Sequence, residues 1–402
     1  MDLKSGYPWW ALSNGLMHGF RRLDSDLECD VAVIGGGITG ALIAHELAGH
    51  GHAVAVLEQG EIAWGSTSAS TALLQYEIDT HLGDLVKQVG ERNALLAYRA
   101  CVSALPMVAT LAAEVGDVDH ADMDSLYLAS SRWQARSVRA EFELRQRHGF
   151  DVELLEAGAV RERYGIEAPL AILNRPAGRI DPYRMAMRLL AGLARDGAAV
   201  HDRTGVVSID ASRRRVELRT NEGFAVRAGD VVVATGYAAQ QWLRQRVARN
   251  RSSYAVITDP VEDDSLGPLA DTLVWESARP YLYLRSTGDG RVLIGGEDDA
   301  IDVPARRDAR VGAKSRTLLK KAAAMFPALT LVPAFAWAGT FAETGDGLPF
   351  FGAHEQYGPR VHFAMAYGGN GITYSALGAG LLRARIERRR HPLATLFGFG
   401  RL

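Results

Sequence analysis

Residues 30–40 read DVAVIGGGITG, so Gly35-x-Gly37-x-x-Gly40 follows directly on an apolar run. Val31–Ile34 is apolar at every position, the pattern of a parallel strand buried on both faces. Gly35 permits a tight turn, Gly37 lets a diphosphate approach the backbone, and Gly40 lets a helix pack close to the strand. A helix is predicted over Ile38–His50, stopped by Gly51, with a second apolar strand over Val54–Leu57. That strand ends at Glu58, about 20 residues beyond the glycines, where the dinucleotide fingerprint places its acidic residue. Free amides and the positive dipole end at the helix start favour a diphosphate. Ile38 and Thr39 open that helix. Glu58, with Gln59 beside it, would accept from ribose hydroxyls and repel a 2′-phosphate. A glycine turn holding no ligand is the competing reading. The fold class implied is α/β, in part α+β, built on a Rossmann-type unit.

The rest of the chain must supply a second layer. At about 100–200 residues per domain, 402 residues imply two or three domains. Helical patterns cover 84–115, 134–148 and Tyr183–Arg195, the last introduced by Asp181-Pro182. Short strands are predicted at Val206–Ile209, Val216–Arg219 and Val231–Val233. Between 254 and 298 the pattern turns alternating and aromatic, with STGDG as a hairpin turn, and predicts an antiparallel sheet. A helix over 308–325, strands near 334–341 and 361–366, and a closing helix after Gly371 follow. The expected organisation is an N-terminal extension over 1–26 and a discontinuous dinucleotide unit from 27–80, 160–245 and 340–402. A discontinuous substrate unit, from 81–159 and 246–339, interleaves with it.

Composition excludes several classes. The net charge of −2 provides no general attraction for nucleic acid or an acidic membrane. No uninterrupted apolar run approaches the ~18 residues of a spanning helix, and the start lacks signal-peptide character. The two cysteines, Cys29 and Cys101, have no metal or redox spacing, which fits a cytoplasmic protein. The histidines, among them His45, His50, His52 and His81, show no metal spacing either, so no metal is expected. Arg388-Arg389-Arg390-His391 suits the C-terminal end of the last helix.

Gly229–Gly236 reads GDVVVATG, an apolar strand ending in Ala234-Thr235-Gly236. Flavoproteins with two dinucleotide-binding segments use such a turn beside FAD, and no second GxGxxG is present for a nicotinamide. The chain after residue 28 thus resembles the D-amino acid oxidase and glycine oxidase superfamily of FAD-dependent oxidoreductases. That likeness extends to sarcosine oxidase and γ-glutamylputrescine oxidase-like proteins. Five further blocks carry it. They are GSTSASTALL at 65–74, GRIDPY at 178–183, Val206-Val207, WAG…DGLP at 337–349, and Gly369-Asn370-Gly371-Ile372-Thr373. The resemblance implies that Ser66, Thr67, Ser68, Thr71, Ala72 and Leu73 run past the flavin and that Val207 lies beside the adenine. Residues 369–373 would form the final flavin loop, whose amides would stabilise the anionic reduced ring.

Three positions depart from the family. Phe341 stands where glycine oxidase-like members carry a carboxylate-binding Arg. Ala69 stands where dimethylglycine dehydrogenase-like members carry a flavin-linked His, so the FAD should be non-covalent. Leu293 aligns approximately with the oxygen-activating Lys of sarcosine oxidase-like members, which leaves oxygen, a quinone or another electron-transfer acceptor open.

The resemblance implies hydride transfer to flavin N5 from a C–H beside nitrogen, followed by imine hydrolysis. The substrate expected is a small amine or amino acid. With Phe341 in place of the clamp, Glu343 suits a cationic amine, unless it is a salt-bridged loop carboxylate. Arg285 is the alternative carboxylate clamp, or an outward strand residue. Tyr254, Tyr281 and Tyr283 would wall the pocket or pack in the core. Gln75, Tyr76 and Glu77 follow the flavin segment and could reach the pocket. Competing readings are a 2-hydroxy acid or glycerol phosphate dehydrogenase, and a non-catalytic flavin-carrying subunit. Nothing in the sequence specifies an oligomeric state.

Overall fold

The computed structural model describes residues 2–262, 265–300 and 303–402. Its organising unit is the one the glycines announce. Strand Leu27–Ile34 turns at Gly35 into helix Ile38–Ala48 and returns as strand Val54–Leu57, paired parallel with Val31 opposite Val54. The helix stops at Gly49, two residues before the predicted end. Gly35 has φ +112, and a Cβ there would lie 2.4 Å from the carbonyl oxygen of Ala234. Crowding is greater still at Gly40, where a Cβ would lie 1.8 Å from the Gly35 carbonyl oxygen. Only a glycine lets the helix sit this close to its strand.

Strands Ala225–Val233 and Ala199–His201 extend this sheet in parallel on either side, and Val361–Met365 pairs beyond the former. The sheet has eight strands among the described residues, including the antiparallel Phe350–Ala353 and a hairpin wing of Val206–Ala211 and Val216–Thr220. Helices Ile38–Ala48, Glu91–Val115, Pro182–Arg195 and Gly371–Ile386 share one core cluster with Val31, Val33, Val54 and Val56. Full burial of each such aliphatic side chain contributes about 1.5–3 kcal/mol.

A second, ten-stranded sheet carries the aromatic segment. Strands Arg249–Thr258, Leu282–Ser286 and Val292–Asp299 pair antiparallel as predicted, around the turn at 287–290. One pairing breaks the pattern, because Thr272–Glu276 runs parallel to Ala121–Leu128. The latter strand, Asp151–Glu156 and Leu170–Arg179 have no counterpart in the sequence reading. Leu170–Arg179 and Leu73–Gln75 both pair in this sheet, so segments assigned with 160–245 and 27–80 to the dinucleotide unit cross into the substrate layer. The helical stretch at 84–115 is two helices, Leu82–Val89 and Glu91–Val115, broken at Gly90 with φ +81. Among the described residues Glu91–Val115 alone is long and apolar enough to cross a membrane. Its Ala94, Ala97, Tyr98, Cys101, Ala104 and Val108 are buried in the core instead.

The N-terminal extension joins the ten-stranded sheet. Lys4–Gly6 is an edge strand on Pro333–Glu343, with Ser5 opposite Ala338. It is held by Arg307, 1 % exposed, which donates to the Asp2 and Lys4 carbonyls and to Thr340 Oγ1 at 2.9–3.0 Å. Its removal would leave two backbone carbonyls and a hydroxyl without their donor, at about 1–3 kcal/mol for each acceptor left buried. Arg307→Met should therefore cost about 3 kcal/mol in urea unfolding and expose Lys4 to trypsin, while the parent resists cleavage there. Equal stability and equal resistance would refute the anchoring role.

Candidate active site

A groove runs between the two sheets. It starts at the first βα turn, with Gly35, Gly37, Ile38, Thr39, Glu58 and Gln59 on one side and Val206, Ala234, Thr235 and Gly236 on the other. It continues past Ser66, Thr67, Thr71, Ala72 and Leu73 to Gly369–Ile372 and ends under Trp275, Tyr281 and Tyr283. The groove thus runs from the first βα turn, past segment 65–74, to the aromatic cluster. Such length suits a dinucleotide with a further ligand beyond its end.

The walls are built for that purpose. Glu58 accepts from Gly36 N at 2.8 Å and from Gly60 N at 2.9 Å, so backbone amides aim it at the groove. Burial raises its carboxyl, against the lowering effect of those amides. Thr67 Oγ1 accepts from Ile38 N at 2.9 Å and ties segment 65–74 to the helix start. Ser66 Oγ and Thr235 Oγ1, both on the groove wall, are buried without a hydrogen-bond partner among the described residues. Unmet buried hydroxyls are uncommon, and these two await a polar ligand. The donors, the acidic residue and the glycine cradle fit FAD. Among the described residues neither His nor Cys lines the groove, in keeping with non-covalent binding.

The far end is stitched together. Asn370 Nδ2 donates to the Gln75 and Glu77 carbonyls, and Thr373 Oγ1 to the Gln75 carbonyl at 3.1 Å. Asp79 Oδ2 accepts from Gly369 N at 2.8 Å. The loop and the start of helix Gly371–Ile386 are thereby fixed against segment 75–79. A side pocket opens from this end, lined by Ser253, Tyr254, Trp337, Phe341 and the shared Tyr237, Tyr281 and Tyr283. Tyr283 lies over Gly295, where a Cβ would come within 2.3 Å of its ring.

Several sequence expectations are corrected. Val207 is 62 % exposed, and it is Val206 that lines the groove. In that strand alternate residues face opposite ways, so the choice between neighbours depended on the pairing register. Glu343 lines neither cavity; Arg251 holds it at 2.7 Å. Arg285 is neither clamp nor outward residue. It is fully buried and donates to the Thr71, Ser286 and Ile180 carbonyls, bracing the flavin-side segment from behind. Leu293 is likewise buried in the core and lines neither cavity. Gly40, Ser68 and Thr373 shape the groove without lining it: Ser68 Oγ caps its own turn through the Trp64 and Gly65 carbonyls. Of the residues after the flavin segment, Gln75 reaches the groove, while Tyr76 and Glu77 are buried behind it. Asp79 was missed. Its only sequence signal was an acidic residue four positions beyond Gln75.

Glu58→Gln removes the charge and one acceptor at the ribose end. Since hydrogen bonds to a charged group contribute about 1.5–3 kcal/mol, the Kd for FAD should rise at least about tenfold in fluorescence titrations of the apoprotein. An unchanged Kd would exclude Glu58 from cofactor binding.

Known proteins share this arrangement. Glycine oxidase of Geobacillus kaustophilus is 31 % identical over 381 residues, covering 92 % of this chain and 96 % of that protein. Its crystal structure superposes with a TM-score of 0.77 at 24 % identity, over 92 % of this chain and 98 % of that one. The γ-glutamylputrescine oxidoreductase of Escherichia coli is 25 % identical over 94 % of this chain and 89 % of its own length. Residues 30–385 match the DAO family as a whole. The chain belongs to the DAO family of FAD-dependent oxidoreductases.

Proposed function

We propose that this protein oxidises the C–N bond of an amine lacking a carboxylate beside the reacting nitrogen. The observation that carries this reading is the charge of the cavity. Among the described residues, no Arg, Lys or His lines either the groove or its side pocket. A free amino acid would bring a carboxylate, and a glycerol phosphate a phosphate, into a space with no cation to receive it. Burying such a charge unpaired is costly. Phe341 lines the side pocket with an apolar ring, and it is the residue that the family resemblance sets at the place of a carboxylate-binding Arg.

Bound FAD supplies a two-electron acceptor, so the substrate carbon beside nitrogen gives up its hydrogen as hydride while the nitrogen lone pair forms the C=N bond. The nitrogen loses a proton, and water then converts the imine to a carbonyl compound and a free amine. The chain's own contribution is placement and water exclusion. Trp275, Tyr281 and Tyr283 close the cavity end, with Trp275 stacked on Tyr127 at 4.0 Å. Burial raises the phenol of Tyr283 to about 12, so it stays neutral and serves as wall and hydrogen-bond donor.

Purified holoenzyme mixed anaerobically with a panel of amines, amino acids, 2-hydroxy acids and glycerol phosphate tests the proposal. Amines should bleach the flavin absorbance, and amino acids and hydroxy acids should not. Rapid bleaching by a free amino acid or by glycerol phosphate would overturn it. Admission of air then separates oxidase from dehydrogenase by whether colour returns.

A further inference from the structure

Among the described residues two charged side chains line the groove, Glu58 at its nucleotide end and Asp79 at its catalytic end. Asp79 has an uncommon setting. Gly368 and Gly369 let it approach the flavin loop, for a Cβ on either would stand 3.0 Å from the carboxylate. One oxygen takes the Gly369 amide; no cationic side chain of the described residues pairs with it within 4.0 Å, and the nearby Arg279 acts on it through its field alone, lowering its carboxyl against the effect of burial. Three other carboxylates of the neighbouring strands are neutralised. Glu343 pairs with Arg251 at 2.7 Å, Asp299 with Arg310 at 2.6 Å, and Glu297 with Lys321 at 2.6 Å.

Three tyrosines, Tyr237, Tyr281 and Tyr283, share the cavity with Asp79; Arg279 already stacks on Tyr281 at 4.8 Å, and the ring faces of the other two attract cations. Behind them Asp298 Oδ1 is buried without a hydrogen-bond partner among the described residues. Burial pushes both carboxyls upward, that of Asp298 to about 6. An arriving cation would relieve that cost. Asp79 also lines an outer cleft with Thr80, His81, Asp84, Lys87 and Arg279, so it stands where the cavity meets the surface.

We infer that Asp79 anchors a cationic nitrogen of the substrate other than the one oxidised, so that the substrate is a diamine or longer polyamine. The inference rests on the amine reading above. Its logic is one of protonation. A carboxylate holds its partner nitrogen protonated, and a protonated nitrogen has no lone pair to form C=N. The nitrogen on Asp79 is therefore not the reacting one, and a second must lie deeper, towards the flavin loop and the tyrosines.

Anaerobic stopped-flow reduction of the holoenzyme by diaminobutane, diaminopentane and diaminohexane, each compared with butylamine, tests this. The best diamine should half-saturate at a concentration at least about tenfold lower than butylamine, the value of one charge-assisted bond. In Asp79→Asn that ratio should fall to near one, and in Asp79→Glu the preferred chain length should shift. Tetramethylammonium should inhibit wild-type reduction by the diamine competitively. No diamine preference in the wild type, a preference that survives Asp79→Asn in FAD-loaded protein, or no competition by tetramethylammonium would each overturn the assignment. Should Asp79→Asn fail to retain FAD, the wild-type series and the competition decide. If dithionite bleaches the flavin but no amine of either kind does, it is the amine reading that fails.

Discussion

The contact between the Gly40 Cα and the Gly35 carbonyl governs everything downstream. It holds the first helix hard against the first strand, and so decides where its opening amides point. From that position Gly36 N directs Glu58 and Ile38 N takes Thr67. Segment 65–74 is then fixed on the far side of the groove and braced from behind by buried Arg285. One close backbone approach thus propagates through two hydrogen bonds and one buried guanidinium to the far end of the groove, in a sheet other than its own.

The parts of this protein legible in sequence are those whose physics is local. A glycine that must lack a side chain, an apolar strand buried on both faces and an acidic residue at a strand end leave their mark within thirty residues. The βαβ unit, the aromatic strands and the final loop were readable on that basis. The missed elements have non-local causes. Leu170–Arg179 carries Asn174 and Pro176 and alternates poorly, yet it is a strand because Ala121–Leu128 and Asp151–Glu156 flank it. Its Asn174 is fully buried, satisfied by Tyr76, Arg145 and the Ser125 carbonyl.

Charge was the least legible property. Glu343 looked available and is paired with Arg251; Arg285 looked exposed and is buried; Asp79 attracted no notice and faces the cavity. In each case the side chain's role depends on what a distant strand brings to it, and no window of sequence contains both partners. Glu343 and Arg251 are 92 residues apart. Carboxylates of the neighbouring strands are paired away from the cavity, and the charged side chains left lining it among the described residues, Glu58 and Asp79, are negative beside electron-rich rings. Selectivity here is a matter of which charges have been cancelled.

The edge strand Lys4–Gly6 also bears on the groove. Leu3 contributes to the groove wall, and the strand that seats its neighbours, Pro333–Glu343, sets Lys4 opposite Gly339. The helix that follows is clamped from another side, with Trp10 Nε1 donating to the Ser70 carbonyl and Asn14 Nδ2 to Asp181. One edge of the cofactor groove is thus set by a strand pair between distant segments, and fraying of that pair would reach the groove through Leu3.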